Sequence, residues 1–166
     1  VRMKPTALTD LPKIAFALVL HEIRDPGNAG TLIRSADASG ASAVIFTGQT
    51  VDPYNPKTLR ATAGSIFRVP VVLASLEDAI AQLHSQGVRV WGTVVQGGRS
   101  SLEADLAKPS AVVLGNEALG LTSGEVALCD ESLTIPMAGK AESLNAAVAG
   151  SLLAFGAYYQ RLDTNT

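Results

Sequence analysis

Three short stretches hold the residue types from which a site could be built. The first is His21-Glu22-Ile23-Arg24-Asp25-Pro26-Gly27-Asn28-Ala29-Gly30-Thr31-Leu32-Ile33-Arg34. Pro26 and Gly27 force a turn, and Asn28 suits the cap of the helix that follows. Arg34 then lies less than two turns into that helix, able to reach back toward the loop. The second stretch is Leu114-Gly115-Asn116-Glu117-Ala118-Leu119-Gly120-Leu121-Thr122. A glycine just past an apolar strand lets a ligand approach the backbone. Its spacing imitates a phosphate-cradling Gly-x-x-x-x-Gly-Lys-Thr loop, but Leu121 stands where the lysine belongs and Glu117 repels phosphate. Nucleoside triphosphatase chemistry is a poor fit. The third stretch is Ile135-Pro136-Met137-Ala138-Gly139-Lys140-Ala141-Glu142-Ser143-Leu144-Asn145. Ser143 suits a helix cap, which puts Asn145 in the first turn of an apolar helix, where its amide needs a backbone or ligand partner. Each stretch alone also reads as an ordinary turn or cap.

The elements that would position these loops alternate along the chain. Apolar runs at 15–20, 43–46, 69–73, 88–95, 111–114 and 132–135 read as strands. Helical spacing covers 31–39, 56–66, 76–86, 123–128 and 143–161. Strands that are continuous Val/Ile/Leu runs are covered on both faces, and alternation with helices implies an α/β fold, a parallel sheet wrapped by helices. Ligands in such sheets sit beyond the carboxyl ends of strands, where the three stretches fall. Residues 1–13, with two prolines, read as a linker or the end of an upstream segment. Residues 14–162 form the domain and 163–166 a tail.

Composition limits the function. The chain has 166 residues, 47% hydrophobic and 17% charged, enough apolar content for one sizeable core and too much for a disordered chain. No apolar run is long enough to span a bilayer, so no membrane partner is expected. The single cysteine, Cys129, cannot form an internal disulfide, no Cys-based zinc site is expected, and a cytoplasmic location fits. The net charge of −2 is unevenly spread, +3 over residues 1–70 and −5 over 71–166. The excess leaves room for a basic face in the first half, although ordinary scatter also accounts for it.

Taken in order, the three stretches resemble the catalytic domain of the SpoU (TrmH-type) 2′-O-ribose RNA methyltransferases of the SPOUT superfamily. The resemblance rests on Asn28-Ala29-Gly30-Thr31-Leu32-Ile33-Arg34, on Leu114 to Leu121, and on Ile135-Pro136-Met137 with Ser143-Leu144-Asn145. It implies a C-terminal trefoil knot, a homodimer and S-adenosylmethionine as methyl donor; no metal is expected, because the apolar loops hold no metal-ligand cluster. It also implies donor contacts from Leu114, Gly115, Asn116, Ile135, Met137 and Leu144, with Thr93 and Val94 lining the same pocket. Arg34 becomes the candidate partner of the reacting 2′-hydroxyl, and being normally protonated it suits charge stabilisation better than proton removal. Asn28, Glu117, Ser143 and Asn145 would order loops and substrate. His21, close to the first of these motifs, reads as structural.

Residues 52–68 resemble the corresponding segment of family members that modify ribosomal RNA, with Lys57, Arg60 and Arg68 facing phosphates. A solvated helix face explains these three cations equally well. The expected substrate is RNA, ribosomal ahead of transfer RNA. Relatives often carry an N-terminal RNA-reading domain, so a catalytic fragment is expected, although naturally minimal members also exist. Two other readings stay open: a different nucleotide-binding α/β enzyme, and a non-catalytic RNA-binding or dimerisation module of the same fold.

Overall fold

A computed structural model describes residues 4–165. Seven parallel strands form one sheet in the order β3-β2-β1-β6-β4-β7-β5: β1 Phe16–His21, β2 Ala43–Thr47, β3 Val71–Ala74, β4 Arg89–Thr93, β5 Arg99–Ser100, β6 Ser110–Leu114 and β7 Glu131–Thr134. The helices are α1 Pro26–Ala38, α2 Pro56–Ala61, α3 Leu76–Ser85, α4 Ser123–Leu128 and α5 Ala146–Thr164. β1, β2 and β6 are buried along their whole length, as continuous apolar runs require when both faces are covered. One face packs Phe16, Leu18, Leu20, Val112 and Leu114 against α1 and α5. The other packs Ala17, Val19, Val72 and Val113 against α3. Gly150 lets α5 lie against α1 and β6, because a Cβ there would overlap Leu32 and Leu114.

The register places the ligand-bearing ends together. Leu20 pairs with Leu114, and Gly92 with both Val113 and Ser132, so β1, β6, β4 and β7 end at nearly one level. The loops after them share one rim of the sheet.

Several local expectations change. Helix α1 begins at Pro26, five residues earlier than the pattern suggests. Asp25 is its cap, its side chain accepting from the Asn28 N–H, and proline suits the first helical position. Asn28 is therefore inside the helix, and Arg34 lies more than two turns from its start. Helix α5 begins at Ala146, and its cap is Asn145 instead of Ser143: one amide oxygen accepts from both Ala147 N and Val148 N. The helix expected over 56–66 stops at Ala61, because Ala63 (φ +48°) and Gly64 (φ +85°) turn left-handed before a 3-10 turn at Ser65–Phe67. β5, two residues long, carries no pattern to detect.

The lead-in is more than a linker. Thr6 N donates to Val71 O at 2.8 Å, extending the sheet edge at β3, and Leu11 is buried in the core. Residues 1–3 of that segment lie outside the described residues. In the expected tail, Asp163 and Thr164 belong to α5, and Thr166 lies outside the described residues. No helix among the described residues is long and apolar enough to cross a membrane.

Candidate active site

A cleft of about 440 Å³ opens beyond the carboxyl ends of β4, β6 and β7. Its walls come from Thr93, Val94 and Val95 after β4, from Leu114 to Leu121 after β6, and from Leu133, Ile135, Met137, Glu142, Ser143, Leu144, Ala146 and Ala149. All eight residues expected to hold a donor lie in this lining: Thr93, Val94, Leu114, Gly115, Asn116, Ile135, Met137 and Leu144. Glu117 and Ser143 line it too, whereas Asn28, Asn145 and Arg34 do not. Nine lining residues were not among the expected site residues: Val95, Ala118, Leu119, Gly120, Leu121, Leu133, Glu142, Ala146 and Ala149. Of these, Leu119 carried a signal in hindsight: it is a large apolar residue inside a polar, glycine-bounded loop, and it stands 85% exposed at the rim.

The loop after β6 folds on its own polar groups. Asn116 Oδ1 accepts from Ala118 N at 2.9 Å and Leu119 N at 3.1 Å, and Gly120 N donates to Asn116 O at 2.8 Å. Gly115 is required where the loop doubles back, since a Cβ would overlap the Gly120–Leu121 peptide. The Asn116 side chain thus shapes the cleft through backbone contacts.

Three separate stretches meet through side chains. Glu117 accepts from Asp25 N at 3.0 Å, from Arg24 N at 3.2 Å and from Asn28 Nδ2 at 3.5 Å. Asn28 Oδ1 accepts in turn from Asn145 Nδ2 at 3.1 Å. One path therefore runs from the β6 loop through the start of α1 to the cap of α5. Asn145 is exposed, so its amide avoids the burial cost expected for it, and both ends of that amide are bonded. Partial burial pushes the Glu117 carboxyl up, but the N–H groups of Asp25 and Arg24 and the Asn28 amide outweigh it and hold it below its ordinary value. Glu117 is an ionised tie at neutral pH.

The cations divide into two kinds. Arg68 is consumed structurally: Nε donates to Asp37 Oδ2 at 2.8 Å and Nη2 to Ser65 Oγ at 3.2 Å, tying the segment after α2 to α1. Arg34, Lys57 and Arg60 are exposed, and their side chains make no hydrogen bond or ion pair among the described residues. Cys129 is half-buried and its thiol is pushed up to about 11, first by burial and then by Asp130, so it is a poor nucleophile.

With that geometry in view, the sequence of the SpoU rRNA Methylase family matches residues 15–155. The chain belongs to that family. It is 41% identical over 138 residues to the 23S rRNA (guanosine(2553)-2′-O)-methyltransferase RlmP of Bacillus subtilis, covering 83% of this chain and 56% of that one. Its fold is similar to that of the SpoU methyltransferase AviRb from Streptomyces viridochromogenes in complex with the cofactor AdoMet. There the TM-score is 0.89 at 34% identity, over 97% of this chain and 67% of that one. An AdoMet-bound rRNA methyltransferase from Sinorhizobium meliloti matches with a TM-score of 0.86 at 38% identity, over 93% and 60%. The chain spans about half the length of the curated relatives it matches.

Proposed function

We propose that this SpoU-family chain transfers a methyl group from S-adenosylmethionine to a ribose 2′-hydroxyl of RNA, ribosomal RNA ahead of transfer RNA. The observation that carries this is the cleft's lining: apolar walls, two carboxylates (Glu117 and Glu142) and no lysine or arginine. Apolar walls beside bare backbone suit a flat purine. The acidic lining suits a ligand with a sulfonium and an ammonium, and disfavours a phosphorylated nucleotide. Its volume is within the range of small-molecule sites.

Thr93, Val94, Leu114, Gly115, Asn116, Ile135, Met137 and Leu144 would hold the donor, which supplies an electrophilic methyl when bound. Arg34 would face the substrate, where its fixed positive charge stabilises the developing 2′-alkoxide and nearby phosphate. Asn28, Glu117 and Asn145 keep the loops of all three stretches in one arrangement, so their order is set before substrate binds. Ser143 would contact substrate or donor from the cleft wall. Lys57 and Arg60, without a partner among the described residues, would meet RNA phosphates. The names of the curated relatives support ribosomal RNA.

A homodimer is part of the same reading. Along α5, Val148, Leu152, Phe155 and Tyr159 recur at alternating spacings of four and three, and Val148, Leu152 and Tyr159 are 48%, 52% and 57% exposed. The opposite side of α5, with Ala147, Gly150, Leu153, Ala154 and Ala157, is already buried in the core. A second copy of this chain would cover the exposed stripe. The C-terminal trefoil knot belongs to the reading as well. It rests on membership of the SpoU family; Gln160, which accepts from Leu106 N at 2.8 Å and donates to Ala104 O at 3.1 Å, joins α5 to the segment between β5 and β6 where the two lie side by side.

The test is incubation of deproteinised RNA with methyl-labelled donor in the presence of a chelator, followed by mapping of alkali-resistant positions. Label at a discrete 2′-O-methyl site is expected. Donor binding without label in any RNA would favour a non-catalytic module. A folded chain without donor affinity would favour another nucleotide enzyme.

A further inference from the structure

The corner at the end of β1 holds a buried imidazole that the reaction proposed above does not use. His21 is 7% exposed. Its Nδ1 lies 2.9 Å from Thr47 Oγ1 at the end of β2, and its Nε2 lies 2.9 Å from Glu125 Oε1 in α4. A carboxylate only accepts, so Nε2 carries a hydrogen and donates it to Glu125; the Thr47 hydroxyl is then free to donate to Nδ1. The other oxygen of Glu125 accepts from Thr122 N at 2.7 Å, while Glu125 N donates to Thr122 Oγ1 at 3.3 Å, closing a capping box. Thr122 directly follows Gly120 and Leu121, which line the cleft.

The start of the same loop is gripped at the same corner. Asn116 Nδ2 donates to Glu22 O at 3.0 Å. Glu22 sits at φ +54°, a left-handed conformation that a non-glycine residue keeps only when its surroundings enforce it. Helix α4 has six residues and buries none of them, so apolar burial within the helix cannot fix it; only its flanks, Leu121 and Cys129, pack partly on the core. A helix this short has little stability of its own. The side-chain tie at the start of the helix is Glu125 to His21; the chain after the helix is held separately, Asp130 N donating to Val90 O at 2.8 Å and Asp130 Oδ2 accepting from Val90 N at 2.7 Å.

We infer that His21 is a positioning residue for the loop 115–121: through Glu125 and the capping box it sets where that loop ends, and so holds the cleft in its donor-accepting shape before a ligand arrives. This rests on the donor reading above. A pre-set loop spares the donor the ordering cost that binding otherwise carries.

Two variants separate this role from simple packing. In His21→Gln the amide reaches the place of Nε2 and keeps the bond to Glu125. In His21→Asn it reaches only the place of Nδ1 and keeps Thr47. Amide hydrogen exchange of residues 116–122 is measured on the ligand-free chain, and S-adenosylmethionine affinity by calorimetry. His21→Asn is expected to speed loop exchange about tenfold and weaken the donor about fivefold, and His21→Gln to stay within about twofold of the parent. Glu125→Ala, on a helix with no fully buried residue, removes the same bond from its other end without a substitution in β1. Equal behaviour of the Gln and Asn variants, or unchanged loop exchange in Glu125→Ala, would overturn the proposal. If the parent binds no donor yet its loop loosens in His21→Asn and not in His21→Gln, the methyltransfer reading fails and the positioning role stands.

Discussion

At the cleft and its margin the polar side chains are already engaged: Glu117 takes N–H groups from Arg24 and Asp25, Asn28 joins it to Asn145, and Asn116 is spent on its own loop and on Glu22 O. Around α1 and α2 the pattern reverses. Arg34, Lys57 and Arg60 point to solvent with no partner among the described residues. A small ligand bound at fixed distances needs a rigid frame, whereas a phosphate chain needs charges that are still unspent. Arg68 is the instructive exception, because Asp37 has already neutralised it.

The largest expected effect separates the two regions at Arg34. Arg34→Ala should lower methyl transfer about a hundredfold or more, the scale of a lost transition-state contact, while calorimetry shows donor affinity unchanged. Equal losses in both would move Arg34 from the substrate side to the donor frame. Next comes Glu117→Ala, which leaves two backbone N–H groups without their acceptor. Because Glu117 is exposed, solvent replaces part of the loss, and a fivefold to tenfold drop (about 1 kcal/mol) in donor affinity is expected.

A pH titration sharpens the same contrast. Glu117 has a depressed value in the folded protein, so its contribution is complete above the ordinary carboxylate range and is lost as pH falls through the lowered value. Donor affinity should stay level from neutral pH down to that range and fall below it, and Glu117→Gln should remove this group's share of the acid limb. The smallest effects lie among the cations. Lys57→Ala and Arg60→Ala should each weaken RNA binding a few-fold and reduce the salt slope by about one, read from affinity against salt concentration. Arg68→Ala should leave that slope alone and cost less than about 1 kcal/mol of stability, as a surface ion pair does.

The sequence by itself determined six of the seven strands, the burial of β1, β2 and β6 on both faces, and the cleft-lining loops. Runs such as Ala111-Val112-Val113-Leu114 allow no other placement, and Gly115 directly after such a run marks where backbone can be approached. It also separated this loop from a phosphate cradle, through Leu121 and Glu117. Only the tertiary structure decided what the polar residues do. Asp25 and Asn145 became the caps because competing candidates two or three residues away differ too little in local preference. Asn28 meets Glu117 across 89 residues of sequence and Asn145 across 117, and Arg68 meets Asp37 across 31. Those meetings follow from the strand order β3-β2-β1-β6-β4-β7-β5. A side chain's partner across a sheet is set by which strands become neighbours, and no local spacing of residue types encodes that.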